Sequence, residues 1–220
     1  MNIEPVAVFR SPLREKFGLP RQAGLVPELK GEVHFLPPYD SPEAVRGLEE
    51  FDYVWLIWGF SLNESTEFSP TVRPPRLGGN KRVGVFASRS PFRPNGLGLS
   101  CVKFESIERG VLKVSGADLA DGTPVYDVKP YIEYADSRTG IRSGFVDYSS
   151  WPTLEVEIPD ELHCSLDSND IEVLSALLSH DPRPHYQDDP QRVYGLSFGQ
   201  YNVKFRAEGK KVFVLSVEKY

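Results

Sequence analysis

Between positions 89 and 95 the chain reads Arg89-Ser90-Pro91-Phe92-Arg93-Pro94-Asn95. Pro91 and Pro94 each lock a backbone dihedral, so the loop is stiff and its two arginines leave it in set directions. A guanidinium is a planar fork of donors that meets carboxylate or phosphate with two parallel hydrogen bonds. Two such groups on one rigid loop suit a site for anions, one a carboxylate and the other a phosphate; spacing does not say which arginine takes which. A stiff turn whose arginines brace the fold is the plain structural alternative.

A second cluster runs Asp118-Leu119-Ala120-Asp121-Gly122-Thr123-Pro124. Asp-Gly makes a tight bend with exposed amides and carbonyls. Such groups can read an adenine edge, with Leu119 packed on the ring and Asp118 or Asp121 accepting from ribose hydroxyls. Arg21 and Gln22 precede Ala23-Gly24, where glycine permits a close backbone approach. Leu99 is either an apolar wall beside the proline loop or a core residue. Downstream, Tyr126, Asp127, Lys129 and Tyr131 are candidate proton acceptors, to be decided by hydrogen-bond reach.

The formal net charge of -6 over 220 residues disfavours a non-specific nucleic-acid binder. Charge is unevenly spread, however. Residues 68–104 contain no acid but carry Arg73, Arg76, Lys81, Arg82, Arg89, Arg93 and Lys103, a local surface able to hold phosphates. Near the C-terminus, Asp181-Pro182-Arg183-Pro184-His185-Tyr186 offers Arg183 for phosphate and Tyr186 for stacking on a base. A helix stop with Tyr186 in a small core accounts for it as well.

Other chemistries are excluded. Cys101 and Cys164 are too few and too far apart for a disulfide framework, which suggests a cytoplasmic protein with reduced thiols. No Cys/His spacing resembles a metal site. No apolar run is long enough to span a bilayer. Gly96-Leu97-Gly98-Leu99-Ser100 lacks the third glycine of a dinucleotide fingerprint, and Leu77-Gly78-Gly79-Asn80-Lys81-Arg82 lacks Walker spacing.

The elements that must position these groups are mostly strands. Apolar runs or alternation predict strands over 5–9, 31–36, 53–60, 82–87, 99–105, 111–115 and 127–131. The aromatic run 53–60 reads as buried on both faces. Ser41-Pro42-Glu43 starts a helix carrying Val45, Leu48 and Phe51. Since helices do not alternate with strands, a closed or nearly closed β-barrel fits better than a doubly wound sheet. Residues 1–135 form this domain and 136–153 a polar linker. Residues 154–220 form a small C-terminal α/β domain: a strand at 154–158, a helix capped at Ser168-Asn169-Asp170, and strands at 201–206 and 211–217.

These motifs stand together with Pro20-Arg21-Gln22-Ala23-Gly24-Leu25, Arg73-Pro74-Pro75-Arg76-Leu77-Gly78-Gly79-Asn80 and Val83-Gly84-Val85-Phe86-Ala87-Ser88. In that order, and over nearly the whole chain, the sequence resembles the TsaA/TrmO family of tRNA methyltransferases. The resemblance implies a single-sheeted β-barrel, S-adenosylmethionine as methyl donor, and a homodimer with the donor near the subunit interface. It implies transfer to N6 of the threonylcarbamoyl-modified adenosine beside the anticodon of a tRNA. Carried onto this sequence, it assigns Arg21, Gln22, Gly24, Arg89, Leu99, Asp118, Leu119, Asp121, Gly122 and Thr123 to the donor. Arg73, Arg76, Lys81, Arg183 and Tyr186 go to RNA, and the residue reading adds Arg93, Asp127 and Tyr131 as candidates for catalysis. The chain departs from the family at Gly96-Leu97-Gly98, where Pro-Ile-Gly is common, and at Ser61, near which a histidine is frequent. A non-catalytic RNA-binding barrel and a small-molecule methyltransferase are the rival readings.

Overall fold

The computed structural model describes residues 2–63, 68–74, 77, 81–148, 152–183 and 189–220. Eight strands precede the polar excursion: β1 (Ala7–Arg10), β2 (Lys30–Phe35), β3 (Tyr53–Gly59), β4 (Thr71–Val72), β5 (Val83–Gly84), β6 (Leu97–Glu108), β7 (Val111–Ser115) and β8 (Pro124–Pro130). Six of them close a barrel in the order β1-β2-β7-β6-β3-β8, every neighbour antiparallel. Closure removes the free edges that an open sheet would expose. Strands β4 and β5 make a separate two-stranded ribbon.

Alternation along the strands fills the barrel. Val54, Leu56 and Trp58 from β3 meet Val102 from β6, Leu112 and Val114 from β7, and Phe9 and Val33 from β1 and β2. The aromatic run of β3 is therefore buried on its inner face alone. Tyr53, Trp55 and Ile57 lie on the outer wall, Tyr53 exposed and the other two half-buried. An outer wall was hidden in that run because its outward residues are as apolar as its inward ones.

Three local expectations change. The helix from Ser41 becomes two 3-10 turns, Pro42–Val45 and Leu48–Glu50, because Gly47 between them takes a left-handed φ of 85°. Residues 82–87 hold β5 and then a 3-10 turn, Val85–Ala87, pinned by the Val85 amide on the Pro70 carbonyl. A short helix, α1 (Glu133–Asp136), and a 3-10 turn, Gly144–Tyr148, interrupt the polar excursion.

The C-terminal part has β9 (Glu155–Glu157), α2 (Asp160–His163), α3 (Ser168–Ser179), β10 (Tyr194–Phe198), β11 (Tyr201–Glu208) and β12 (Lys211–Lys219). Its sheet runs β10-β11-β12-β9, and α3 buries Val173, Leu174, Leu177 and Leu178 in its core. Asp167, one residue before the expected cap, accepts the Asp170 amide at 2.7 Å. This core takes in more than the C-terminal residues. Leu13, Val26 and Leu29 are buried within it, and Phe17, Leu19 and Leu25 pack against it. The segment between β1 and β2 therefore leaves the barrel, completes the second core, and returns.

Candidate functional site

Strand register shows why the motifs meet. Trp58 of β3 pairs with Gly98 of β6 and with Val125 of β8, and Ala7 of β1 pairs with Val125 as well. Lys30 of β2 pairs with Ser115 of β7. The end of β3 and the starts of β2, β6 and β8 therefore share one rim with the ends of β1 and β7. Three connections leave from that rim, residues 11–29, 60–96 and 116–123, and each carries one of the motif segments.

Residues 116–123 cross the rim. Ala117 and Leu119 plug the barrel core, with Ala23 packed against it. Leu119 is 1% exposed, so its side chain is not available to pack on an adenine ring. The bend itself is tied down: Asp121 and Gly122 donate their amides to the Leu13 and Phe9 carbonyls at 2.7 and 2.8 Å. Those two amides are thus occupied and do not read a ligand edge, against the expectation for an exposed Asp-Gly turn. Thr123 is 2% exposed, and its carbonyl accepts the Phe9 amide. The Asp121 carboxylate accepts from the Ser11 amide at 3.2 Å and lies 3.7 Å from the Arg10 guanidinium. Its two oxygens therefore face Ser11 and Arg10, at the end of β1.

Asp118 is different. Its Oδ1 accepts the Ser100 hydroxyl at 2.5 Å, and the Ala23 amide donates to the same carboxyl. Ser100 in turn accepts the Trp58 indole N–H at 2.9 Å. Burial pushes the Asp118 carboxyl above its ordinary range; the Ser100 hydroxyl, nearby backbone amides and the Arg89 charge oppose this in part. Sequence reading missed Ser100 and Trp58. The usable signal was the 98-to-102 alternation, which turns Gly98, Ser100 and Val102 inward and leaves a lone hydroxyl in an apolar row.

Gln22 and Arg89 come together, the Arg89 Nη1–H donating to Gln22 Oε1 at 2.5 Å. Arg89 is exposed, and this contact uses one of its five donors. Arg93 instead turns back on its own loop, giving Nη1–H to the Ser88 carbonyl at 3.2 Å. Gly24 donates to the Gly116 carbonyl at 2.8 Å, so the close approach it permits is between two backbones of this chain. Arg21 donates to the Asp181 carbonyl at 2.8 Å and joins the rim to the end of α3. Leu99 is 57% exposed on the outer wall and is not a core residue.

Leu99, Ile57 and Asp127 form one row across β6, β3 and β8. Asp127 is bound to Lys129 at 2.9 Å. Tyr131 lies four residues further along the chain, just past β8, where its amide meets the Tyr53 carbonyl at the start of β3 and its ring packs on Tyr53 and Trp55. At about 3.3 Å per residue it is roughly 13 Å from the Asp127 row and away from the rim. The structure does not bring it together with Arg93.

Of the basic residues, Arg73 and Lys81 are exposed. Arg183 is clamped by both oxygens of Asp181, with only 10% of its side chain exposed. An open phosphate clamp is therefore not what Arg183 presents. Arg76 and Tyr186 lie outside the described residues. Among the described residues, no helix is long and apolar enough to cross a membrane, and no group of three or more His, Cys, Asp or Glu side chains could hold a metal ion.

The donor set at the rim fits a group with hydroxyls and both charges. Asp118 is a braced carboxylate, Arg89 an exposed cation and Leu99 an exposed apolar surface. The profile of the tRNA-methyltransferase O N-terminal domain matches residues 8–137, and that of the TrmO C-terminal domain matches 152–220. A tRNA (adenine(37)-N6)-methyltransferase of Escherichia coli (strain K12) is 38% identical over 228 residues, covering 97% of each chain. A Pseudomonas aeruginosa relative, provisionally named an S-adenosylmethionine-dependent methyltransferase, is 41% identical over 212 residues, 92% of this chain and 90% of its own. The crystal structure of TrmO from P. aeruginosa superposes with a TM-score of 0.82 at 35% identity, over 100% of this chain and 97% of that one. Barrel, rim motifs and C-terminal sheet agree with these likenesses along the whole length, and the chain belongs to the TrmO family.

Proposed function

We propose that this chain transfers the methyl group of S-adenosylmethionine to N6 of adenine 37 in tRNA, and that the adenine it accepts carries the threonylcarbamoyl group. The observation behind this reading is the convergence of Gln22, Arg89 and Asp118 on one barrel rim, with Leu99 exposed on the outer wall near the start of β6. Relatives of matching length bear the corresponding names.

The donor supplies, when bound, a methyl group on a sulfonium. What the chain's residues contribute is alignment, since a near-attack geometry removes much of the barrier without strong acid chemistry. Asp118 accepts from the ribose hydroxyls of the donor and Arg89 meets its carboxylate, while Leu99 gives an apolar wall. Arg93 shapes the loop from within. A proton leaves N6 as the methyl arrives, and Asp127, in the Leu99 row, accepts it. Arg73 and Lys81 hold phosphates, together with Arg76 and Tyr186 by the family pattern. Residues 1–135 carry the donor and 154–220 help hold the RNA.

The active form is a homodimer that covers the rim. Phe86 just before the loop and Phe92 within it are 75% and 46% exposed, and such apolar surface beside a site suits a partner subunit. The free thiols of Cys101 and Cys164 suit the reducing cytoplasm. The deciding measurement is label transfer from S-adenosylmethionine into two tRNA pools, with and without the threonylcarbamoyl group. Label at position 37 of the modified pool alone supports the full reading. Equal labelling of both removes the threonylcarbamoyl requirement, and no donor binding at all leaves an RNA-binding barrel.

A further inference from the structure

We infer that Ser100 and Trp58 are positioning residues for the methyl donor, acting through Asp118, which they hold in place and in its accepting form. The inference rests on the methyl-transfer reading and goes beyond it, because both residues are buried and reach the rim through Asp118.

With Asp118 as the carboxylate, the hydrogen-bond chain runs one way, from Trp58 through Ser100 to Asp118. An indole N–H can donate and cannot accept, so the Trp58 Nε1–H at 2.9 Å must point into the Ser100 oxygen. The one proton of Ser100 is then left for Asp118 Oδ1, 2.5 Å away. The Ser100 proton and the Ala23 amide favour the carboxylate, against the larger push of burial toward the neutral acid. Without them, burial would favour the neutral acid still more, and that form accepts poorly from a ribose hydroxyl pair. Arg89 is the charged group that faces Asp118.

The chain is also rigid. Trp58 is 6% exposed and Ser100 2%. The Trp58 ring lies directly over Gly98, where a Cβ would come within 2.4 Å of it, and Phe60 packs edge-on at 4.4 Å between centroids. A serine is not what packing alone would place here, since the flanking inward residues of β6 are Gly98 and Val102. Ser100 is one of only three buried polar or charged residues among the described ones.

The test uses Ser100→Ala, Trp58→Phe, Asp118→Asn and the double variant Ser100→Ala/Asp118→Asn. Donor affinity is measured by calorimetry, and kcat and both KM values by methylation of tRNA between pH 5 and 9. Loss of a hydrogen bond to a charged group predicts that Ser100→Ala raises the donor Kd and donor KM about tenfold. The KM for tRNA should stay unchanged, and the acidic limb of donor binding should move to higher pH. Trp58→Phe should shift the same quantities in the same direction by less. In the Asp118→Asn background, Ser100→Ala should cost nothing more, because the two act as a unit.

Unchanged donor affinity in a folded Ser100→Ala protein, or losses that add in the double variant, overturn the inference while leaving methyl transfer intact. A wild-type protein that binds no S-adenosylmethionine overturns both. Should Ser100→Ala not fold, Trp58→Phe decides on the same criteria: an unchanged donor KM refutes the role.

Discussion

Asp118 and Asp121 look interchangeable as letters, three positions apart around one bend. Packing separates them: Asp121 fastens the bend to Ser11 and Arg10, while Asp118 faces the Ser100 chain beside Arg89. Burial raises the Asp118 value above 3.8, so the folded protein holds that proton more tightly than the unfolded chain does. Its contribution to stability is therefore fully present below the unfolded value and falls as pH rises through the raised one. Asp118→Asn should remove this dependence. Denaturant melts across that span should show the variant gaining on the wild type as pH rises, and parallel curves would contradict it. The two loop arginines separate as well. Replacing exposed Arg89 with alanine should weaken donor binding about tenfold, the scale of a lost charge-assisted contact, without lowering the melting temperature. Arg93→Ala removes a donor from the Ser88 carbonyl and should cost about 1 kcal/mol of stability, read by thermal melting. Sequence could supply the pair of guanidinia but not their directions, since a loop's side-chain vectors are set by what surrounds it.

At the scale of elements, alternation made the barrel strands legible, and all six were foreseen from apolar pattern within a few residues. What alternation could not show was the distinction between a helix and two 3-10 turns at residues 42–50, because a single left-handed Gly47 decides it. Strand β10 was missed although Tyr194, Leu196 and Phe198 alternate with smaller residues. Gly96 has a φ of 56°, which proline cannot adopt, and its amide donates to the Arg93 carbonyl. The proline common in the family at this place would therefore require a different local path. Gly98 is constrained from the opposite side, by the Trp58 ring. Gly98→Ala should overpack the rim and destabilise by about 1–3 kcal/mol, measured by chemical denaturation. It should also raise the donor KM by displacing Trp58; a variant as stable and as active as wild type would show that the ring has room to move.

For the molecule as a whole, the division read from composition, a domain over 1–135 and another over 154–220, is not where the packing divides. Leu13, Val26 and Leu29 lie in the same core as Leu196, Val203 and Phe205. No composition shift marks this, because a contact across more than 160 positions leaves no local trace. Truncation before Leu154 should therefore strip the cover from residues 13–29, which carry Gln22 and Ala23. The truncated chain should lose donor affinity along with RNA methylation and melt at lower temperature than the intact protein. Retained donor affinity would show that the barrel sets its rim unaided.

That threaded segment also orders events in time. A chain made on the ribosome emerges from its N-terminus, and the barrel strands are all out before β10–β12 appear. Yet the stretch between β1 and β2 lacks Leu196, Val203 and Phe205, part of the core it packs in, until those last strands arrive. The rim is thus completed late in synthesis, and if the donor binds there as proposed, a ribosome-held chain lacking β11 and β12 should capture no S-adenosylmethionine. Translation itself would then act as a timer that keeps half-made protein from engaging its methyl donor.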